Sequence, residues 1–140
     1  MINFFYEDVE LDINEASVSG WISRVIVSEN KKEGELSFVF CNDEYLLKIN
    51  REFLNHDTYT DIISFDNCLG NELHGDVFIS TERVAENAST YKVAREEELR
   101  RVIIHGVLHF CGYKDKTEGE ERVMRQKEEE KLTMFHVEHS

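Results

Sequence analysis

Proline is absent from this sequence, cysteine is scarce, and basic side chains are outnumbered. No proline-rich linker, repeat or low-complexity segment divides the chain, so one domain over residues 1–140 is expected. That length is enough to bury a core. Cys41, Cys68 and Cys111 are odd in number and widely spaced, with no C-x-x-C pair. This argues against a disulfide framework and against a cysteine zinc site, and the three read as buried apolar thiols. No apolar run approaches the roughly 18 residues of a membrane span. The stretch Met1–Glu7 lacks the basic flank and cleavage site of a signal peptide, so a cytoplasmic protein with no membrane attachment is expected. Sixteen Lys and Arg stand against 29 Asp and Glu, a net charge of −13. Phosphate contacts supply much of the affinity of nucleic-acid binders. A nucleic acid would therefore need a local basic groove, a bound cation or a carrier partner.

What is present reads as alternating strands and helices. Ile2–Tyr6 is an aromatic and β-branched run that suits a strand. Asp12 or Asn14 can cap a helix to about Asn30, and Gly34 then ends a charged turn. Leu36–Phe40 reads as a second strand. Asn42 or Asp43 caps a helix carrying Leu46, Ile49 and Phe53 at helical spacing. Thr60–Phe65 and Leu73–Ser80 read as further strands around a turn at Gly70. Beyond Ser80 the pattern is helical: a helix to about Tyr91, one over Val93–Cys111 closed by Gly112, and one from Thr117 to about Met134. The order β-α-β-α-β-β-α-α-α indicates an α+β domain with a small mixed four-stranded sheet.

Within the Val93–Cys111 helix, His105 and His109 stand four residues apart in an otherwise apolar run. At about 100° per residue they share one face. Val102, Ile103, Ile104, Val107, Leu108, Phe110 and Cys111 cover most of the remaining circumference, which is the pattern of a buried helix. Two imidazoles so placed can hold one metal ion. Gly112 permits a turn that brings Asp115 back as a third, oxygen ligand, and three protein ligands with a water make an open catalytic site. The residue after His105 is Gly106, so the glutamate base of an H-E-x-x-H protease is missing.

His105-Gly106-Val107-Leu108-His109-Phe110-Cys111-Gly112-Tyr113 resembles the H-G-x-L-H-x-x-G-Y-D-H signature of the YbeY family. These are bacterial single-domain, metal-dependent endoribonucleases of ribosomal RNA maturation and ribosome quality control. Thr60–Phe65 resembles the family's T-[DN]-V-L-S-F strand, Gly75–Ser80 its G-D-I-x-I strand, and Ile49–Phe53 its L-N-x-x-[YF] helix end. The resemblance runs from about residue 36 to 130. It implies hydrolysis of RNA phosphodiesters at one divalent metal, zinc first, with ribosomal RNA and ribosomal subunits or ribosome-associated proteins as partners. The family's third histidine falls on Asp115, whose charge makes the site less electrophilic or suits a harder metal. The family's arginine after the aromatic falls on Leu54, and Arg51 is the candidate to engage phosphate in its place.

The resemblance places Asp61, Ser64 and Asp76 near the cleft, though turn capping and strand-end hydrogen bonding account for them as well. No general base presents itself. The positive charge usable for RNA is Lys48, Arg51, Lys92, Arg95, Arg100, Arg101, Lys114 and Lys116; most of it reads as solvated helix face, and Lys114 and Lys116, which flank Asp115, are the best placed. The last helix reads as exposed and laced with i,i+4 ion pairs. His56 and His74 read as surface residues, and His136 and His139 receive no role. Two rivals stand beside the nuclease: a ribosome-assembly or binding factor with a structural metal, and a metal-dependent hydrolase of a small molecule.

Overall fold

The computed structural model describes the backbone of residues 1–137 and the side chains of residues 1–135; the His136 side chain and His139 lie outside the described residues. Two strands carry the centre of the sheet, β2 (Lys32–Cys41) and β4 (Glu72–Ser80), paired in parallel. Strand β1 (Ile2–Tyr6) adds in parallel to β2 at one edge, and β3 (Ile62–Asp66) pairs antiparallel to β4 at the other. The order β1-β2-β4-β3 is thus a small mixed sheet.

Alternation along these strands sorts two faces. Leu36, Phe38 and Phe40 of β2 and Leu73, Val77 and Ile79 of β4 enter the main core. Helices α1 (Glu15–Ser28) and α4 (Arg95–Phe110) cover that face. Behind α4 lie α3 (Thr81–Tyr91) and α5 (Glu118–Val137), so α4 is enclosed from several sides. Its Val102, Ile103, Ile104, Val107 and Leu108 are at most 1% exposed, each contributing about 1.5–3 kcal/mol by burial. Helix α2 (Asp43–Leu54) lies on the opposite face, where Leu46 and Ile49 pack with Ile63, Phe65 and Phe78.

Asn14, Asn42 and Ser80 cap α1, α2 and α3 by accepting from the backbone N–H three residues on. Thr117 and Glu120 form a reciprocal capping box before α5. Trp21 of α1 is fully buried, meets Phe135 edge-on, and donates from Nε1 to the Lys131 carbonyl at 2.7 Å, which ties α1 to α5. No helix among the described residues is long and apolar enough to cross a membrane.

Three expectations need correcting. Strand β2 begins at Lys32 rather than Leu36, because its charged first residues pair with Glu72 and Leu73 before a register shift. Gly34 lies inside that strand instead of ending a turn; a Cβ there would fall 2.5 Å from the His74 ring and the Leu73 carbonyl. His74 is half-buried, accepting from the Glu35 N–H at 3.0 Å and meeting Glu72 at 2.6 Å.

Candidate metal centre and cleft

The i,i+4 spacing on α4 brings the His105 and His109 rings to 4.6 Å between centroids, nearly perpendicular. Their Nε2 atoms are 3.1 Å apart. Helix α4 closes as Gly112 N–H donates to the His109 carbonyl and Tyr113 N–H to the Leu108 carbonyl. Gly112 sits at φ +107°, a conformation that disfavours a side chain, and this reverses the chain. Asp115 is thereby returned to the histidines. Its Oδ2 lies 3.2 Å from His105 Nε2 and 3.4 Å from His109 Nε2.

Whether these three groups suit a metal is decided by their outer nitrogens. His109 Nδ1 is 3.0 Å from the Tyr113 carbonyl, which can only accept, so Nδ1 carries the hydrogen. His105 Nδ1 is 2.6 Å from a carboxylate oxygen of Glu128. In the neutral form of each ring the Nε2 lone pair is then the one that faces the Asp115 carboxylate. Three acceptors so close repel one another unless a positive charge sits among them. Ligands about 2.0–2.1 Å from a tetrahedral zinc ion stand about 3.3 Å from each other. The separations of 3.1, 3.2 and 3.4 Å match that figure. His105, His109 and Asp115 are a group that could hold a metal ion.

The three residues line a cleft of about 310 Å³ whose opposite wall is Thr60, Asp61, Ile62 and Ser64. That wall is the free edge of β3. The Ser80 N–H donates to the Asp61 carbonyl and the Asn67 N–H to the His74 carbonyl. By antiparallel alternation, residues 61, 63, 65 and 67 bond to β4, while the main-chain groups of Ile62 and Ser64 point outward, toward the cleft. Gly106 lets α4 approach this wall: a Cβ there would stand 3.1 Å from Ile62 and 3.3 Å from Val77. Burial raises the Asp61 carboxyl above its usual range, an effect that Arg101 and His105 only partly offset.

Arg101 is a cation of this cleft rather than a solvated one. Its Nε and Nη2 grip Glu98 at 2.8 and 2.7 Å, its Nη1 reaches Glu128 at 3.2 Å, and Asp61 is 3.8 Å away. The Glu98 and Glu128 side chains are 2% and 3% exposed. Burial opposes the Glu128 charge, yet the bonds from His105 and Arg101 prevail and hold its carboxyl below the usual range. Arg100 stacks on the Phe135 ring at 4.5 Å, and Arg95 alone of the three arginines is exposed. Lys114 and Lys116 are exposed on either side of Asp115.

Arg51 stands elsewhere. It is on α2, across the sheet from α4, exposed and paired with Asp57 at 2.5 Å. Asp76 is half-buried in β4 and does not line the cleft, whereas Asp61 and Ser64 do. Glu98 and Glu128 join the site without having been expected there, although the sequence carries a signal for them. Glu98, Arg101, His105 and His109 recur at steps of three, four and four on one face of α4. Met124, Glu128, Lys131 and Phe135 recur at steps of four, three and four on α5, and all four are buried. The last helix therefore hides two of its charges instead of exposing them all.

Tyr113, whose carbonyl holds His109, is itself anchored. Its hydroxyl donates to Glu29 at 2.6 Å, and Lys131 and Lys127 approach the same carboxylate at 2.8 and 3.4 Å. Burial opposes ionisation of Glu29, but the bonds from Lys131 and Tyr113 keep its carboxyl below the ordinary 4.5. A carboxyl with a depressed folded-state pKa stabilises the fold above its unfolded pKa, and that contribution fades as pH falls through the folded value. Glu29→Gln is expected to lower stability by about 1–3 kcal/mol at pH 7, since hydrogen bonds to a charged group are lost. The gap to the parent should close as pH falls through the lowered folded-state pKa of Glu29. Urea titrations at pH 7 and in acid measure it, and a gap that widens in acid would contradict the assignment.

A small α+β protein with a cleft that could hold one divalent ion is the class that this fold and site define. The family model described as endoribonuclease YbeY matches residues 3–136, and the chain belongs to that family. It is 60% identical over 138 residues to the endoribonuclease YbeY of Flavobacterium psychrophilum, covering 98% of each chain. It is 61% identical over 137 residues to that of Christiangramia forsetii, covering 98% of this chain and 96% of the other. The solution structure of TM1509 from Thermotoga maritima shares the fold, with a TM-score of 0.71 at 20% identity over 99% of this chain and 91% of that one.

Proposed function

We propose that this chain is a metal-dependent endoribonuclease that hydrolyses RNA phosphodiesters in ribosomal RNA maturation and ribosome quality control. The observation that carries the reading is the convergence of His105, His109 and Asp115 on one point of an open cleft, in a chain of the YbeY family. His105 Nε2, His109 Nε2 and an Asp115 oxygen would hold one divalent ion, zinc first. When bound, such an ion supplies an acidified water and a polarised phosphate oxygen.

The protein's own residues do the rest. The Ile62 and Ser64 N–H groups on the free β3 edge offer neutral donors to phosphate oxygens. They do so where the surrounding carboxylates would repel an anion. Asp61 is the cleft carboxyl placed to exchange a proton, and burial raises its pKa above the ordinary carboxyl range. Lys114 and Lys116 lie beside the Asp115 loop and meet the RNA backbone outside the cleft. Ribosomal subunits or ribosome-associated proteins bring the substrate to a chain of net charge −13. The location is cytoplasmic.

Purified protein given structured ribosomal RNA is expected to cleave it, to stop on addition of a chelator, and to resume with added zinc. Intact RNA accompanied by co-sedimentation on ribosomal subunits would instead favour a binding factor with a structural metal.

A further inference from the structure

His109 and His105 are held in different ways. His109 takes its orientation from the Tyr113 carbonyl, in the same loop that carries Asp115. His105 is fixed from a distant part of the chain. Glu128, the second residue of the buried stripe of α5, places one carboxylate oxygen 2.6 Å from His105 Nδ1. Its other oxygen lies 3.2 Å from Arg101 Nη1. Arg101 in turn is gripped through two nitrogens by Glu98, one turn before it on α4. With Glu128 2% exposed, water does not compete for these bonds.

We infer that Glu128 is the positioning residue of the metal centre: through His105 Nδ1 it fixes the tautomer and ring orientation that present Nε2 to the ion. The inference rests on the metal reading of His105, His109 and Asp115. A histidine that ligates through one nitrogen commonly donates its other N–H to a carboxylate, which sets the tautomer and increases ligand basicity. Arg101 supplies what this arrangement needs in a buried place. It balances the Glu128 charge and leaves that residue's remaining oxygen free for the imidazole. The arginine contact at 3.2 Å is longer than the imidazole contact at 2.6 Å, so the carboxylate is aimed at the histidine. A carboxylate present merely to neutralise Arg101 would not need to meet His105 at all. Helix α5 is thereby part of the centre and not only its cover.

Nitrogen-15 spectra of the metal-free full chain, at a pH where imidazole is neutral, read the tautomer directly. The parent is expected to show His105 with hydrogen on Nδ1. In Glu128→Ala, His105 should become a mixture of tautomers while His109 is unchanged. Zinc affinity measured by calorimetry should fall 10–100-fold in Glu128→Ala, the range found for outer partners of metal ligands. It should fall less than about 10-fold in Glu128→Gln, whose amide oxygen still accepts from Nδ1. Parent protein with hydrogen on His105 Nε2 overturns the inference, and this measurement needs no variant to fold. A folded Glu128→Ala protein with parental tautomer and affinity also overturns it. A parent that shows the Nδ1 tautomer yet binds no zinc would overturn the metal reading and leave the positioning of the ring standing.

Discussion

Replacing His109 with alanine is expected to abolish metal retention and to lower RNA cleavage about 10³-fold. One of three convergent ligand atoms disappears, and the two that remain are too few to hold an ion in an open site. The loss of several kcal/mol of charge stabilisation at the phosphate then appears as that factor in rate. Folding should survive, because the His109 side chain is 29% exposed and its loss removes no core contact of α4. Metal content by mass spectrometry should drop from about one ion per chain to none, with circular dichroism unchanged. A folded variant that keeps both its ion and its cleavage would remove His109 from the site. Asp115→Asn is the informative companion. It keeps an oxygen in place without its charge, and should lie between the parent and His109→Ala in both readouts.

The site was partly legible because its first layer is written locally. His105, His109, Gly112 and Asp115 lie within eleven residues, and helical geometry with one left-handed glycine is enough to bring them together. The sheet and its strand count were legible for a similar reason: alternation in Leu36–Phe40 and Leu73–Ser80 is a two-residue pattern. The second layer was not legible by the same means. Glu128 is 23 residues from His105, and its burial depends on how α5 lies across α4. The start of β2 at Lys32 was hidden too, since main-chain pairing with β4 carries charged side chains into a strand that periodicity does not mark. Arg51 shows the converse. Its spacing from Leu54 suggested a substitute cation, but α2 packs on the sheet face away from α4.

Arg101→Met is expected to produce the largest loss of stability of any single change in the cleft. Arg101 is the common partner of Glu98 and Glu128, whose side chains are 2% and 3% exposed. Removing one member of a buried charge cluster costs about 3–5 kcal/mol, because the partners stay buried without their counter-charge. For a chain of this size that corresponds to a fall in melting temperature of roughly 10–20 °C. The double variant Arg101→Met/Glu98→Gln should be more stable than Arg101→Met alone. It removes one of the uncompensated charges, and the two changes share a contact and so do not add. Zinc provides the final discrimination. Without Arg101, the carboxylates of Asp61, Glu98, Asp115 and Glu128 lose their central buried cation, and the histidines, a bound ion and the more distant Arg125, 3.9 Å from Glu128, are left to balance them. Zinc in excess should therefore raise the melting temperature of Arg101→Met by more than that of the parent, provided binding is confined to the folded state. Equal shifts would mean that the Arg101 cluster and the metal centre are electrostatically independent.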